Sequence, residues 1–176
     1  MNYAVIKRND IANGTGVRVS LFVSGCSHRC AGCFNSEAWE YDYGQPFTDE
    51  VIEDILKYCE PDYVRGLSLL GGEPLDPLNQ EGVARLLRAY KARYPHKDVW
   101  CYTGYVYETD LVVGGRAYGI NTYEILSSID VLVDGPFVDK LKSLRLKFRG
   151  SSNQRILDMP ATLAKNQPTL LDESKY

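Results

Sequence analysis

Three cysteines within eight residues constrain this chain more than any other feature. Cys26, Cys30 and Cys33 lie in the run SGCSHRCAGCFN, spaced Cys-x3-Cys-x2-Cys. The run follows VRVSLFV at residues 17–23, where Val17, Val19, Leu21 and Val23 alternate as in a strand. Parallel α/β sheets gather their ligands in loops at the carboxyl ends of their strands. Cys59 falls on the apolar side of a helical pattern and Cys101 inside a short strand pattern, so both are expected to be buried core thiols. A total of five is odd, and the clustered triplet is unlike a secreted disulfide framework.

The triplet reads as a metal loop, because thiolates are soft ligands that suit zinc or iron–sulfur clusters. A structural zinc site needs four protein ligands, and the fourth would have to come from a distant cysteine. His28 is two residues from both Cys26 and Cys30, an awkward reach around one ion, so His28 and Arg29 are read as exposed loop residues. Three cysteines can instead hold three irons of a 4Fe-4S cluster and leave the fourth iron open to a small molecule. That second reading fits the local spacing better.

Around the loop, strand and helix patterns alternate. Thr48 is placed to cap a helix that begins Asp49-Glu50 and repeats apolar residues through Cys59; Pro61 closes it. GLSLL at 66–70 is a short buried strand stopped by Gly71-Gly72, and Asn79 is placed to cap the helix that follows. VWCY at 99–102 and VLV at 131–133 complete four clear strands, with further candidates near 3–8 and 145–149. Repeats of this kind build right-handed βαβ units on a parallel sheet. The chain is short for a closed eight-stranded barrel of ~250 residues. The fold class expected is therefore α/β, an incomplete, curved parallel (βα) barrel or an open sheet, in one domain over residues 1–157. Residues 108–124 are the least regular interior stretch, and residues 158–176 are expected to be a loosely ordered tail.

Composition narrows the function. With 44% hydrophobic and 24% charged residues the chain is core-forming. A net charge of −3 argues against a general nucleic-acid binder. No apolar run approaches the ~18–20 residues of a membrane helix, and MNYAVIKRND lacks a signal-peptide stretch. The expectation is a cytoplasmic protein with no nucleic-acid or membrane partner. Charge is uneven: the first 88 residues carry a net −5 and the remainder a net +2. Six basic residues and no acidic one lie between Lys140 and Arg155, either as a solvated face or as a docking strip for an acidic partner.

Two glycine turns sit at strand ends. GGEP, Gly71 to Pro74, permits backbone angles closed to other residues and blocks further strand pairing. DGPF, Asp134 to Phe137, repeats the arrangement at the fourth strand, and RGSSNQR, Arg149 to Arg155, is dense in hydrogen-bond donors.

The cysteine loop resembles the signature of the radical S-adenosylmethionine superfamily. The wider set, NGTGVRVSLFVSGCSHRCAGCFNSEAW, GLSLLGGEPLDPLN, KDVWCYTGY, VLVDGPF and LKFRGSSNQRI, is similar in order and spacing to the superfamily's glycyl-radical activases that serve anaerobic ribonucleoside-triphosphate reductase. The resemblance implies a partial barrel of the radical S-adenosylmethionine type, with Cys26, Cys30 and Cys33 holding a 4Fe-4S cluster. It implies S-adenosylmethionine contacts from Gly32, Cys33, Phe34, Gly71, Gly72, Glu73 and Asp134, and no catalytic residue beyond the cluster and the cofactor. It implies reductive cleavage of the cofactor by an electron from a low-potential donor, and a glycyl radical formed on the large subunit of the reductase as protein substrate. The chain departs from many superfamily members at Gly32, where an aromatic residue usually precedes the third cysteine and here Phe34 follows it. Residues 111–121 match no motif. The rivals are a radical enzyme acting on a small molecule, which would usually be longer, and a zinc-stabilised binding module.

Overall fold

The computed structural model describes all of residues 1–176. One sheet organises the chain, built from β1 (Asn2–Asp10), β2 (Val17–Val23), β3 (Gln45–Pro46), β4 (Val64–Gly71), β5 (Asp98–Tyr102), β6 (Val131–Asp134) and β7 (Arg155–Asp158). The spatial order is β3-β1-β2-β4-β5-β6-β7. Strands β2, β4, β5 and β6 run parallel, as the alternating pattern predicts. Both edges depart from the parallel expectation: β1 and β3 are antiparallel on one side and β7 is antiparallel on the other. The candidate strand near 3–8 is β1, but residues 145–149 form none, and β7 takes its place further along the chain. The sheet is open, since β3 and β7 do not pair.

The helices are α1 (Asp49–Cys59), α2 (Gln80–Arg93), α3 (Tyr107–Asp110), α4 (Thr122–Ser128) and α5 (Met159–Lys165). Thr48 occupies the cap position of α1, but its hydroxyl makes no cap bond; Asp49 and Glu50 still stand in the first turn, where the helix dipole favours them. Apolar residues of α1, α2 and α4 meet Leu21, Leu67, Leu69, Val99 and Leu132 in one continuous core. Cys59 and Cys101 belong to that core and are fully buried. Burial pushes the Cys59 thiol up to about 12 and the Cys101 thiol well above its usual value.

Side chains alternate across a strand, so the intervening residues face the other side. There no helix of the main core covers them. Trp100, Val131, Val133, Ile156 and Leu171 form a smaller cluster, with Phe148 and Tyr176 packed against it. A sheet covered by helices on one side only leaves Leu70 and Tyr102 facing a cleft instead of a second helical layer.

The end of the chain is more ordered than its composition suggests. Asp158 caps α5 by accepting from the Ala161 N–H at 3.0 Å, and Asn166 closes it in the left-handed region at φ 50°. Pro160 stands in the first turn, where its missing N–H is harmless. Met159 and Thr162 are buried.

Asp134, expected from the resemblance to contact the cofactor, is engaged by protein groups. It is fully buried, and its carboxylate accepts from Arg155 Nε at 2.9 Å and from the Tyr107 N–H at 2.9 Å. Arg155 also donates to both oxygens of Glu108, at 2.9 and 2.7 Å. The guanidinium thus joins β6, β7 and α3, and Glu108 is held below the usual carboxylate range by it. Arg155→Met leaves Asp134 buried without its countercharge and should lower stability by about 3 kcal/mol in urea denaturation. Adding Asp134→Asn should restore part of the loss; a single-variant loss under about 1 kcal/mol would show that the pair is replaceable by solvent.

Candidate metal centre and cofactor cleft

Beyond Val23 the chain leaves the sheet through Ser24 and Gly25. Gly25 has φ +92°, and a Cβ there would overlap the ring of Tyr41, so only glycine fits this turn. Residues 26–33 then form one wall of a cleft of about 440 Å³. The carboxyl ends of β4 and β5 form a second wall and residues 137–150 a third. Cys26, Cys30 and Cys33 all line it, as do Gly32, Phe34, Gly71, Gly72 and Glu73. Asp134 does not. Phe34 stands 86% exposed at the rim.

A backbone seam holds the cysteine loop to the sheet. The Gly72 N–H donates to the Val23 carbonyl at 2.7 Å, and the Glu73 N–H to the Gly25 carbonyl at 2.8 Å. On its other side the loop pairs with residues 38–39, the Gly25 N–H donating to Ala38 and the Cys26 N–H to Trp39. A Cβ on Gly72 would sit 2.4 Å from the Gly25 carbonyl oxygen and 3.0 Å from that of Ala38. Gly72 is thus required by the approach of the cysteine loop itself.

Buried side chains beneath the seam tie it to its surroundings, although Asn79 Oδ1 and Ser24 Oγ have no partner. Glu73 Oε1 accepts from Leu75 N–H at 2.9 Å and Thr103 Oγ1 at 2.7 Å, and Oε2 accepts from Gly104 N–H at 2.7 Å. Asn79 caps nothing: its Nδ2 reaches the carbonyls of Ser24, Gly25 and Glu73. Asp76 accepts from Ser27 Oγ and Tyr41 Oη, both at 2.8 Å. Neither Asp76 nor this role of Asn79 follows from the sequence, because no period or motif marks a side chain that bonds a loop fifty residues away.

His28 corrects the expectation of an exposed loop residue. Its side chain is only 9% exposed and its Nε2 lies 3.2 Å from Glu73 Oε2, without hydrogen-bond alignment. Its ring meets Tyr105 edge-on at 4.4 Å between centroids, and Gly104 leaves room for it, since a Cβ there would lie 2.8 Å from the imidazole. Arg29 is exposed as expected and pairs with Glu40 at 2.7 Å.

The three loop cysteines are half-buried free thiols. Burial, reinforced by the Glu73 carboxylate, pushes Cys26 up to about 11, and burial raises Cys30. Both hold their protons at neutral pH, so a metal must displace them to bind. No three His, Cys, Asp or Glu side chains are grouped tightly enough to ligate one metal ion. Three thiols on one wall of one cleft are a donor count compatible with a larger cluster whose metal ions each take one thiolate. The cleft also presents buried polar atoms without partners, Trp39 Nε1, Tyr102 Oη and Arg149 Nε. Each of these atoms lies beneath the cleft surface and is costly to leave without a partner.

A family model described as a 4Fe-4S single cluster domain matches residues 12–157. The anaerobic ribonucleoside-triphosphate reductase-activating protein of Enterobacteria phage T4 is 40% identical over 156 residues, covering 89% of this chain and 93% of that protein. The protein of the same name from Escherichia coli strain K12 is 40% identical over 156 residues, covering 88% and 96%. That from Vibrio cholerae is 39% identical over 158 residues, covering 89% and 97%. The chain belongs to this family of activating proteins. Its cluster domain spans every element that lines the cleft, from the loop before β2 through β7.

Gly72→Val tests the seam. It should lose most of the iron taken up on anaerobic reconstitution, with a stability loss of about 1–3 kcal/mol. Iron content equal to that of the unaltered protein would show that the loop reseats without the close approach.

Proposed function

We propose that this chain is an activating enzyme that cleaves S-adenosylmethionine reductively at a three-cysteine 4Fe-4S cluster and installs a glycyl radical on an anaerobic ribonucleoside-triphosphate reductase. The observation that carries the reading is the meeting, in one cleft, of three thiols from a single loop with the glycine-rich end of β4 and unpartnered buried polar groups. Held by the three thiols, the cluster would pass on an electron from a low-potential donor, and the cofactor would supply the hydrogen-abstracting chemistry on reductive cleavage of its sulfonium–ribose bond.

The residues divide the remaining work. Cys26, Cys30 and Cys33 hold the irons and leave one unclaimed by protein. Gly71 and Gly72 bring backbone close to the methionine end of the cofactor. Glu73 keeps the ends of β4 and β5 in register through Thr103 and Gly104, and its negative charge favours an α-ammonium group nearby. Gly32 and Phe34 meet the adenine end, Gly32 through its backbone. Tyr102 and Trp39 line the cleft that the ligand would fill. An open sheet with helices on one side supports the partial-barrel reading. A cleft closed on three sides leaves a fourth through which a polypeptide can enter and exclude water.

The protein works in the cytoplasm with a low-potential donor; no helix is long and apolar enough to cross a membrane. The zinc-module rival is disfavoured by the dispersed thiols and by the family model.

Anaerobic reconstitution should yield a brown protein that forms 5′-deoxyadenosine with a strong reductant. Adding the reductase should produce a glycyl-radical signal in electron paramagnetic resonance. Replacing Cys26, Cys30 or Cys33 by Ala should abolish both products, whereas Cys59→Ala and Cys101→Ala should keep them at a stability loss of about 1–3 kcal/mol. Cluster loss in folded Cys59→Ala would establish a four-ligand site and overturn the reading.

A further inference from the structure

The third wall of the cleft carries a chemistry that cofactor binding does not explain. Lys140, Lys142, Arg145, Lys147 and Arg149 fall within ten residues, and none pairs with an Asp or Glu, although eleven of the other fifteen Lys and Arg residues do. Asp139, the one acid in this wall, is turned to Gly32, where its Oδ1 would lie 2.8 Å from an added Cβ. Lys147 Nζ donates to the Tyr176 oxygen at 3.4 Å and Arg149 Nη1 to the Gln154 carbonyl at 2.9 Å, while Lys140, Lys142 and Arg145 have no acidic partner on a chain whose net charge is −3.

Large apolar side chains stand among them. Leu144 is 96% exposed and Phe34 86% exposed, and both line the cleft; Leu141 is 43% exposed beside them. Apolar anchors within a ring of charge are the anatomy of a protein interface. A partner seated here covers the mouth. An electron donor bound at that place would shut out the substrate, whereas a partner that inserts its own glycine needs the mouth and closes it.

We propose that this rim docks an acidic surface segment of the reductase, with Leu144 and Phe34 as its apolar anchors and Lys140, Arg145 and Lys147 as its ionic ring. The proposal rests on the activating-enzyme reading and adds the docking surface and the charge of the partner segment.

The test measures binding of the reconstituted protein to its reductase at about 50 mM and about 500 mM salt. The triple variant Lys140→Glu, Arg145→Glu, Lys147→Glu should bind at least about tenfold more weakly at low salt and lose most of its salt dependence. Leu144→Ser should bind more weakly at both salt concentrations with the salt dependence retained. Partner-free formation of 5′-deoxyadenosine by the triple variant should stay within about twofold of the unaltered protein's. If the unaltered protein forms none, the enzymatic reading fails, while the binding result still judges the docking surface. Equal affinity and equal salt dependence in the triple variant would overturn the proposal. So would a change confined to self-association or to binding of duplex DNA, which would assign the rim to a second copy or to nucleic acid. Should the triple variant not fold, the neutral set Lys140→Gln, Arg145→Gln, Lys147→Gln carries the same test, with weakening of about threefold expected.

Discussion

Two backbone hydrogen bonds, from Gly72 to Val23 and from Glu73 to Gly25, hold the architecture of the cleft. They prolong the pairing of β2 with β4 past the end of the sheet and force the chain to turn where the cysteines begin. Their existence depends on a missing atom, the Cβ of Gly72, because the Gly25 carbonyl occupies its place. Asn79 adds three bonds from below and Glu73 ties the seam to β5. The thiols are consequently positioned by main chain and by buried side chains, which are stiffer supports than exposed loop contacts.

Sheet coverage decides what that support faces. All the helices of the large core lie on one side, so one set of alternate strand residues builds the core and the other is left for ligand and loop. Leu70 and Tyr102 do not need a helix over them because the cleft is their neighbour. The antiparallel edges finish the sheet without further crossovers, which keeps the chain short while four parallel strands still bring their carboxyl ends together.

Much of this was legible in the sequence, for physical reasons that differ by element. The parallel strands announce themselves as apolar runs because they are buried on both faces. The cysteine loop and GGEP are legible because thiol spacing and paired glycines have few other uses. The pairing of Asp134 is not legible, since a carboxylate at a strand end looks the same whether it awaits a ligand or an arginine, and Arg155 is brought across only by β7. His28 was misread because its burial depends on Tyr105 and Gly104, far off in the chain. Helix α5 lies within the stretch expected to be a loosely ordered tail, and its cap, Asp158, and Pro160 in its first turn are residues equally common in loops.

The cleft is assembled from segments widely separated in sequence: residues 24–39, 70–79, 102–105 and 137–150. During synthesis the cysteines leave the ribosome long before their seat does. The loop has no seam until Gly72 and Glu73 emerge, no second wall until β5 forms, and no cover until the last quarter of the chain is made. Long-range closure of this kind is late and cooperative. A nascent or truncated chain therefore holds its thiols open to solvent and to oxidants, and only the completed fold half-buries them.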